Sequence, residues 1–192
     1  MKRFPLQKYA SLELNQVAFP KTGMVVSQVP LAATFTEAAP CENGMWVVAD
    51  KAAGVIDVPS AAEDAVNAPI GIVYTAEKEY DAMHYGLKEF GRKIAGDYPR
   101  VGILGVGDTV TTNCLQYDEN EFKDALGAKE HSALIAALEA LDTYPLYVVP
   151  VTGSGVPKIT KLAPSTGIYA KVVKYYTVPN GEKGVKYQVI KL

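Results

Sequence analysis

The chain has 192 residues, of which 48% are hydrophobic and 21% are charged, and its formal net charge is −2. This composition is that of a globular protein that can bury a core, and the nearly balanced charge excludes a protein-wide field that attracts nucleic acid or an acidic membrane. The N-terminus lacks the apolar region of a secretory signal, and no stretch approaches the ~18 apolar residues that span a bilayer.

Residues 1–40 differ from the rest because their apolar residues are scattered and interrupted by prolines. Two interpretations stay open: an irregular segment packed on its own domain, or an extended arm that lies on a neighbouring subunit or partner. As an arm, the segment is expected to contact that partner through the residues nearest its start, namely Lys2, Arg3, Phe4, Leu6 and Tyr9. Residues 41–192 are then expected to form a single β-rich domain.

Three strand-length runs rich in β-branched or aromatic residues lie at 45–48, 54–58 and 70–74. The loop between the first two ends on Gly54, which tolerates a positive φ and so permits a β-hairpin. We predict a hairpin followed by a third strand at the centre of the domain. Trp46 lies in the most apolar of these strands and is expected to be buried.

The next segment, residues 76–100, fits a helical stripe only in part and is weakened by three glycines. Residues 101–110 are typical of a strand, a tight turn at Gly107-Asp108, and a second strand.

The strongest helical pattern runs from Asp118 to Leu141. Acidic residues at its start complement a helix N-terminus, Leu134 and Leu138 share a face with Leu141, and Tyr144-Pro145 ends it. We predict a helical insertion over about 118–142.

Residues 146–151 form another β run, in which Pro150 indicates an edge strand or a bulge. The C-terminus is the clearest hairpin, with strands at 168–178 and 185–192 joined by a turn at 179–182. The predicted fold is therefore mainly β, barrel-like or sandwich-like, with one substantial helical segment (α+β) and an extended N-terminal arm.

Motifs that carry chemistry are missing. The glycines at 105 and 107 lack the third glycine and the helix of a dinucleotide fingerprint. His84 and His131 have no metal-ligand spacing around them, and Cys114 lies inside an apparent strand. We therefore expect no catalytic residue, no metal and no cofactor; an enzyme that assembles His84, Asp108, Cys114 and His131 from a distance is the least favoured alternative.

We expect the protein to be made and kept in a cytoplasm, where cysteines stay reduced. Cys41 and Cys114 are therefore expected to be free and partly buried, with a disulfide as the alternative.

The charge is uneven along the chain. From residue 151 onward there are seven lysines and one acidic residue, Glu182. These lysines either form a basic face for an acidic partner, or lie on the solvent side and edge of a hairpin, where they discourage edge-to-edge aggregation.

The order of hairpins over residues 40–118 resembles structural proteins of phage and prophage virions, of the head decoration or auxiliary capsid type. The segments that carry the resemblance are ENGMWVVAD, GVIDVP, APIGIVYTAEKEYD and PRVGILGVGDTVTTN. The resemblance implies a non-enzymatic virion protein, made in the host cytoplasm, that binds assembled major capsid protein or other virion proteins in many copies, often as a homo-oligomer. From the net charge, we expect no nucleic-acid or membrane partner. The alternatives are a head-fibre base, a tail structural protein, or a carbohydrate-binding or ligand-binding β domain that uses surface tyrosines and Trp46.

Overall fold

The computed structural model describes residues 1–5, 10–12, 17, 24–50, 53–60, 69–75, 93–123, 131–143, 145–177 and 181–191. In this part of the chain the protein is mainly β, with strands in two sheets and one helix, which confirms the predicted fold class. The strands are β1 Lys2–Arg3, β2 Val25–Val26, β3 Trp46–Asp50, β4 Val55–Asp57, β5 Ile70–Val73, β6 Val101–Ile103, β7 Thr109–Thr112, β8 Gln116–Tyr117, β9 Tyr147–Val151, β10 Ser154–Thr160, β11 Tyr169–Thr177 and β12 Lys183–Lys191, and the helix is α1 His131–Glu139.

The strands divide into a large sheet of order β1-β8-β10-β9-β11-β12-β7 and a small sheet of order β2-β6-β5-β3-β4. Neighbours are antiparallel, except that β8 and β10 run parallel. The small sheet contains the predicted hairpin β3–β4 with β5 on the other side of β3. Gly54 has a φ of 68°, as its place in that hairpin loop requires.

The strand–turn–strand prediction for residues 101–110 is confirmed, but the two strands do not pair with each other. Strand β6 belongs to the small sheet and β7 to the large sheet. The turn between them contacts both sheets: Leu104 N donates to Ile70 O at 3.0 Å, and Gly107 N donates to Val189 O at 2.9 Å. Gly107, at a φ of 97°, lets the chain reverse there. This turn therefore transfers the chain from one sheet to the other.

The two sheets share one hydrophobic core. Trp46 and Ile72 from the small sheet pack in the same cluster as Val110, Val172 and Tyr187 from the large sheet. Trp46 is fully buried, as predicted, and its Nε1 donates a 2.8 Å hydrogen bond to Tyr187 Oη. The rings meet edge to face with centroids 5.9 Å apart. The architecture is thus a two-sheet sandwich joined by an aromatic contact at its centre.

The small sheet is also covered on its other face. Alternate residues of its strands, including Val47 and Val73, belong to a second buried cluster together with Leu31, Phe35 and Cys41. Burial on both faces explains why these strands read as continuous apolar runs rather than as an alternation of apolar and polar residues.

Described residues of the N-terminal forty pack against their own chain. Strand β1 pairs with β8, and Leu12 bridges Thr112 at the edge of the large sheet. Phe4 is buried in the core between the sheets. In the single chain, these described residues follow the first interpretation, in which the segment packs on its own domain.

The helix begins later than predicted. Residues 116–117 form β8, residues 118–123 form turns and bends, and residues 124–130 lie outside the described part. Asp118 Oδ1 accepts from Asn120 N at 2.9 Å, so this acidic residue stabilises a local turn instead of a helix N-terminus. The predicted helix face is confirmed, because Leu134 and Leu138 are buried. Among the described residues, no helix is long and apolar enough to cross a membrane.

The C-terminal hairpin is confirmed as β11 paired with β12. Pro150 lies inside β9. The β9–β10 ladder is interrupted there, since its register shifts between Ser154 and Lys158, which confirms a bulge at Pro150. Strand β9 also lies beside β11, but the ladder between them consists of Tyr147 and Val148 and does not include Pro150. The predicted excursion at 76–100 falls mostly on residues 76–92, outside the described residues.

We predict that Tyr187→Phe lowers the free energy of unfolding by about 1–3 kcal/mol, because it leaves the buried Trp46 N–H without its acceptor while keeping the ring. Urea unfolding followed by tryptophan fluorescence measures the change. The matched control is Tyr98→Phe, at a side chain that is 60% exposed, where we expect a change within about 0.5 kcal/mol. Equal stability of Tyr187→Phe and the control is the contradicting result.

Candidate binding surface

The described residues that were considered as catalytic candidates have structural contacts. Asp108 is buried, and its Oδ2 accepts a 2.6 Å hydrogen bond from Gly105 N. Its backbone oxygen accepts from Val189 N at 2.9 Å. Asp108 therefore fastens the turn that links the two sheets, which is the role the sequence assigned to the Gly107-Asp108 pair. His84 lies outside the described residues.

Both cysteines are free in the structure and are fully buried, where partial burial was expected. Burial raises the pKa of Cys114 to about 12 and raises the pKa of Cys41 as well. A nucleophilic cysteine needs the opposite shift, because the thiolate is the reactive form. The two thiols therefore act as small apolar side chains of the core around the small sheet.

His131 starts α1 at the side of the core. Its Nδ1 lies 3.3 Å from Tyr117 Oη, and its ring centroid lies 5.6 Å from that of Phe4. A cavity of about 240 Å³ beside it is also lined by Glu182 and Lys183. Burial, and then the positive charge of Lys2, hold the pKa of His131 below its ordinary value of 6.5. The environment therefore favours a neutral, packed imidazole.

Glu119 and Glu121 each form an ion pair with a lysine. Glu119 Oε1 lies 3.0 Å from Lys2 Nζ, and Glu121 Oε1 lies 3.0 Å from Lys158 Nζ. Among the described residues, no group of three or more His, Cys, Asp or Glu side chains is placed to hold a metal ion.

The N-terminal residues predicted to contact a partner have contacts within the chain. Lys2 pairs with Glu119, and Arg3 pairs with Glu42 at 3.0 Å. Phe4 is 2% exposed. Leu6 and Tyr9 lie outside the described residues. Contact of this segment with a partner stays a prediction.

Charge is segregated between the two sheets. The seven described strands of the large sheet contain eight basic residues and no Asp or Glu. The five described strands of the small sheet contain two aspartates and no Lys or Arg. The basic residues are Lys2, Arg3, Lys158, Lys171, Lys174, Lys183, Lys186 and Lys191, and the acidic ones are Asp50 and Asp57.

Strand register gathers three of these lysines on the outward side of β11 and β12. The inward side of this pair consists of core residues such as Val172 and Tyr187. Lys171 is opposite Gln188, and Lys174 is directly opposite Lys186. We call the outward side the basic face and define it by its charged and exposed apolar members: Lys171, Val173, Lys174, Lys186 and Ile190.

The other described C-terminal lysines lie elsewhere. Lys158 is paired with Glu121, and Lys161 Nζ lies 5.1 Å from the centroid of the Phe122 ring. Lys183 donates to Thr177 Oγ1 at 2.8 Å. The count of lysines indicated a basic region, but only the pairing register separates the three that form one face.

The edge explanation does not fit every lysine of the basic face. Strand β12 lies between β11 and β7, and Lys186 is opposite Lys174 on one side and Thr111 on the other. Strand β11 lies between β9 and β12, and its ladder with β9 consists of Ala170 and Lys171. Lys171 and Lys186 are therefore paired on both sides and do not protect an edge from aggregation, whereas the edge explanation stays open for Lys174.

No protein family, curated protein or solved structure matches this chain. The resemblance to phage virion proteins therefore rests on the residues of the chain alone.

We predict that the protein loses stability as the pH falls from about 7 to about 5, partly through His131. The unfolded chain binds a proton at the ordinary pKa of His131, and the folded chain binds it less readily. The stability present above that pKa is consequently lost as the pH falls through the lowered one. His131→Gln is expected to lose less stability over this range. Urea unfolding at several pH values tests this, and identical pH profiles of the two proteins contradict it.

Proposed function

We propose that the protein is a non-enzymatic structural component of a phage virion, an auxiliary head protein of the decoration type that binds the assembled major capsid protein. The observation that carries this proposal is the basic face, where Lys171, Lys174 and Lys186 lie on the outward side of the large sheet; the other cations of its strands include Lys2, Arg3 and Lys158, which are paired with acidic residues. A rigid body with one basic side approaches an acidic surface in one orientation, which suits repeated docking on an ordered array.

The interior of the sandwich supports a role that depends on shape. The buried polar groups described above hold segments together: the Glu42 carboxylate, for example, accepts from Arg3 at 3.0 Å and from Ala10 N at 2.9 Å. The polar groups thus fasten the N-terminal segment and the turn between the sheets. A body held in this way keeps its outer surfaces in fixed positions, as a protein that acts through its surfaces requires.

In the carbohydrate-binding alternative, Trp46 is the principal aromatic residue, and it is not accessible to a sugar. Trp46 has no exposed surface and bonds to Tyr187 inside the sandwich. A sugar cannot stack on it without opening the core. Among the described tyrosines, Tyr98 is the large exposed aromatic side chain, at 60%.

The proposal is tested by mixing the purified protein with capsids assembled from the major capsid protein of the same virus and sedimenting them. We expect the protein to pellet at a near-stoichiometric ratio to the capsid subunit. Binding is expected to weaken as NaCl rises from about 0.05 to about 0.5 M, because exposed charges are screened over a shorter distance.

The control is the same capsid protein left unassembled, which lacks the repeated array. A protein that never pellets with assembled capsids, or that pellets only in trace amounts, contradicts the proposal. Retention on a polysaccharide column, with loss of retention in Tyr98→Ala, instead supports a glycan binder.

A further inference from the structure

The basic face holds two like charges directly opposite each other. Lys174 and Lys186 are partners in the β11–β12 ladder, and opposed residues of an antiparallel pair project from the same side of a sheet. Like charges in this position destabilise a sheet. Lys186 is paired on both sides, with Lys174 and with Thr111, so the protection of an edge does not account for a like charge at this position.

The ladder also presents apolar side chains beside these lysines. Its register shifts between Val172 and Lys174, so that Val173 is the extra residue of a bulge. Val173 is 55% exposed and Ile190 is 41% exposed. Protein interfaces combine such an apolar contact with charged residues at its rim.

We propose that the basic face, together with Val173 and Ile190, is a docking surface for an acidic protein surface. Carboxylates of the partner sit against Lys174 and Lys186 and remove their mutual repulsion, while Val173 and Ile190 pack against apolar side chains of the partner. The assignment of this partner to a capsid rests on the function proposed above; the docking surface itself does not.

The chemistry of the face favours a protein over a nucleic acid. Strands β11 and β12 contain lysine and no arginine, and arginine is the residue best suited to paired contacts with phosphates. The aromatic rings nearby have protein partners: Tyr147 packs edge to face on Tyr169 with centroids 5.9 Å apart, and Lys174 Nζ lies 6.0 Å from the centroid of Tyr176. Single-stranded nucleic acid needs open aromatic faces on which bases stack.

The substitution Lys174→Glu separates binding from stability. It replaces a like-charged cross-strand pair with an opposite-charged pair, so we expect the urea midpoint of unfolding to rise slightly. The same change places a carboxylate in the docking surface, where it repels an acidic partner. A variant that is more stable and binds less cannot be explained by damage to the fold.

The binding experiment uses immobilised poly-L-glutamate as the acidic polypeptide and a single-stranded oligonucleotide as the competing polyanion. We expect the wild-type protein to be retained on poly-L-glutamate and released by salt. Lys174→Glu with Lys186→Glu is expected to bind at least about tenfold more weakly, since two close charge pairs are reversed. The matched control is Lys123→Glu with Lys161→Glu, which changes the net charge equally at exposed lysines outside β11 and β12 and is expected to bind as the wild type does.

Unchanged retention of the Lys174→Glu, Lys186→Glu variant overturns the docking surface, as does equal loss of retention in the control. Tighter binding to the oligonucleotide than to poly-L-glutamate, lost in the same variant, overturns the choice of a protein partner. Retention on poly-L-glutamate without sedimentation on capsids refutes the proposed function alone. Sedimentation on capsids that survives the double substitution refutes the docking surface alone.

Discussion

The structure depends on the contact between Trp46 and Tyr187, one from each sheet. Both side chains are fully buried, so the indole N–H cannot reach water and needs an acceptor inside the protein. Tyr187 Oη is that acceptor, at 2.8 Å. Burial raises the pKa of Tyr187, which keeps the hydroxyl protonated and the contact uncharged. Because a hydrogen bond is directional and a packed apolar contact is less so, this bond fixes how one sheet lies on the other, and it thereby fixes which sides of the two sheets face outward.

The local sequence pattern was sufficient to predict the hairpins, but it was not sufficient to predict the connections between them. The pairs β3–β4 and β11–β12 follow from runs of β-formers separated by a short turn, and both ends of each pair lie close in sequence. The turn at Gly107-Asp108 has the same local signature, yet its strands join different sheets. That outcome is set by bonds from the turn to Ile70 and Val189, which no short window contains. The late start of α1 has a similar cause, since Tyr117 and Phe122 enter the core and hold residues 116–123 out of a helix.

The candidate surface shows the same division between what sequence reveals and what it does not. An excess of lysine after residue 151 is visible in the sequence, and it correctly indicated a basic region. Which lysines share a face depends on the register of β11 against β12, and the shift at Val173 cannot be read from alternation. The edge interpretation does not fit Lys186 because strand order is a property of the whole fold: β7, far earlier in the chain, pairs with β12 and makes it interior. Phe4, assigned to an arm, is a core residue for the same reason.

Unfavourable interactions are treated differently in the interior of this molecule and on its surface. In the interior, polar groups such as Asp108 and Glu42 are engaged by hydrogen bonds that hold segments in place, and the two thiols are kept protonated by burial. On the outer side of the large sheet, by contrast, Lys174 and Lys186 are cross-strand partners and Val173 is exposed at a bulge. A fold selected only for stability has no use for that arrangement, because one acidic residue in place of either lysine would relieve it. The repulsion disappears when another molecule supplies the carboxylates, so the unfavourable pair in the free protein becomes a favourable contact in a complex. This difference between the free and bound states, and not the number of lysines, is the reason for proposing the basic face as a binding surface.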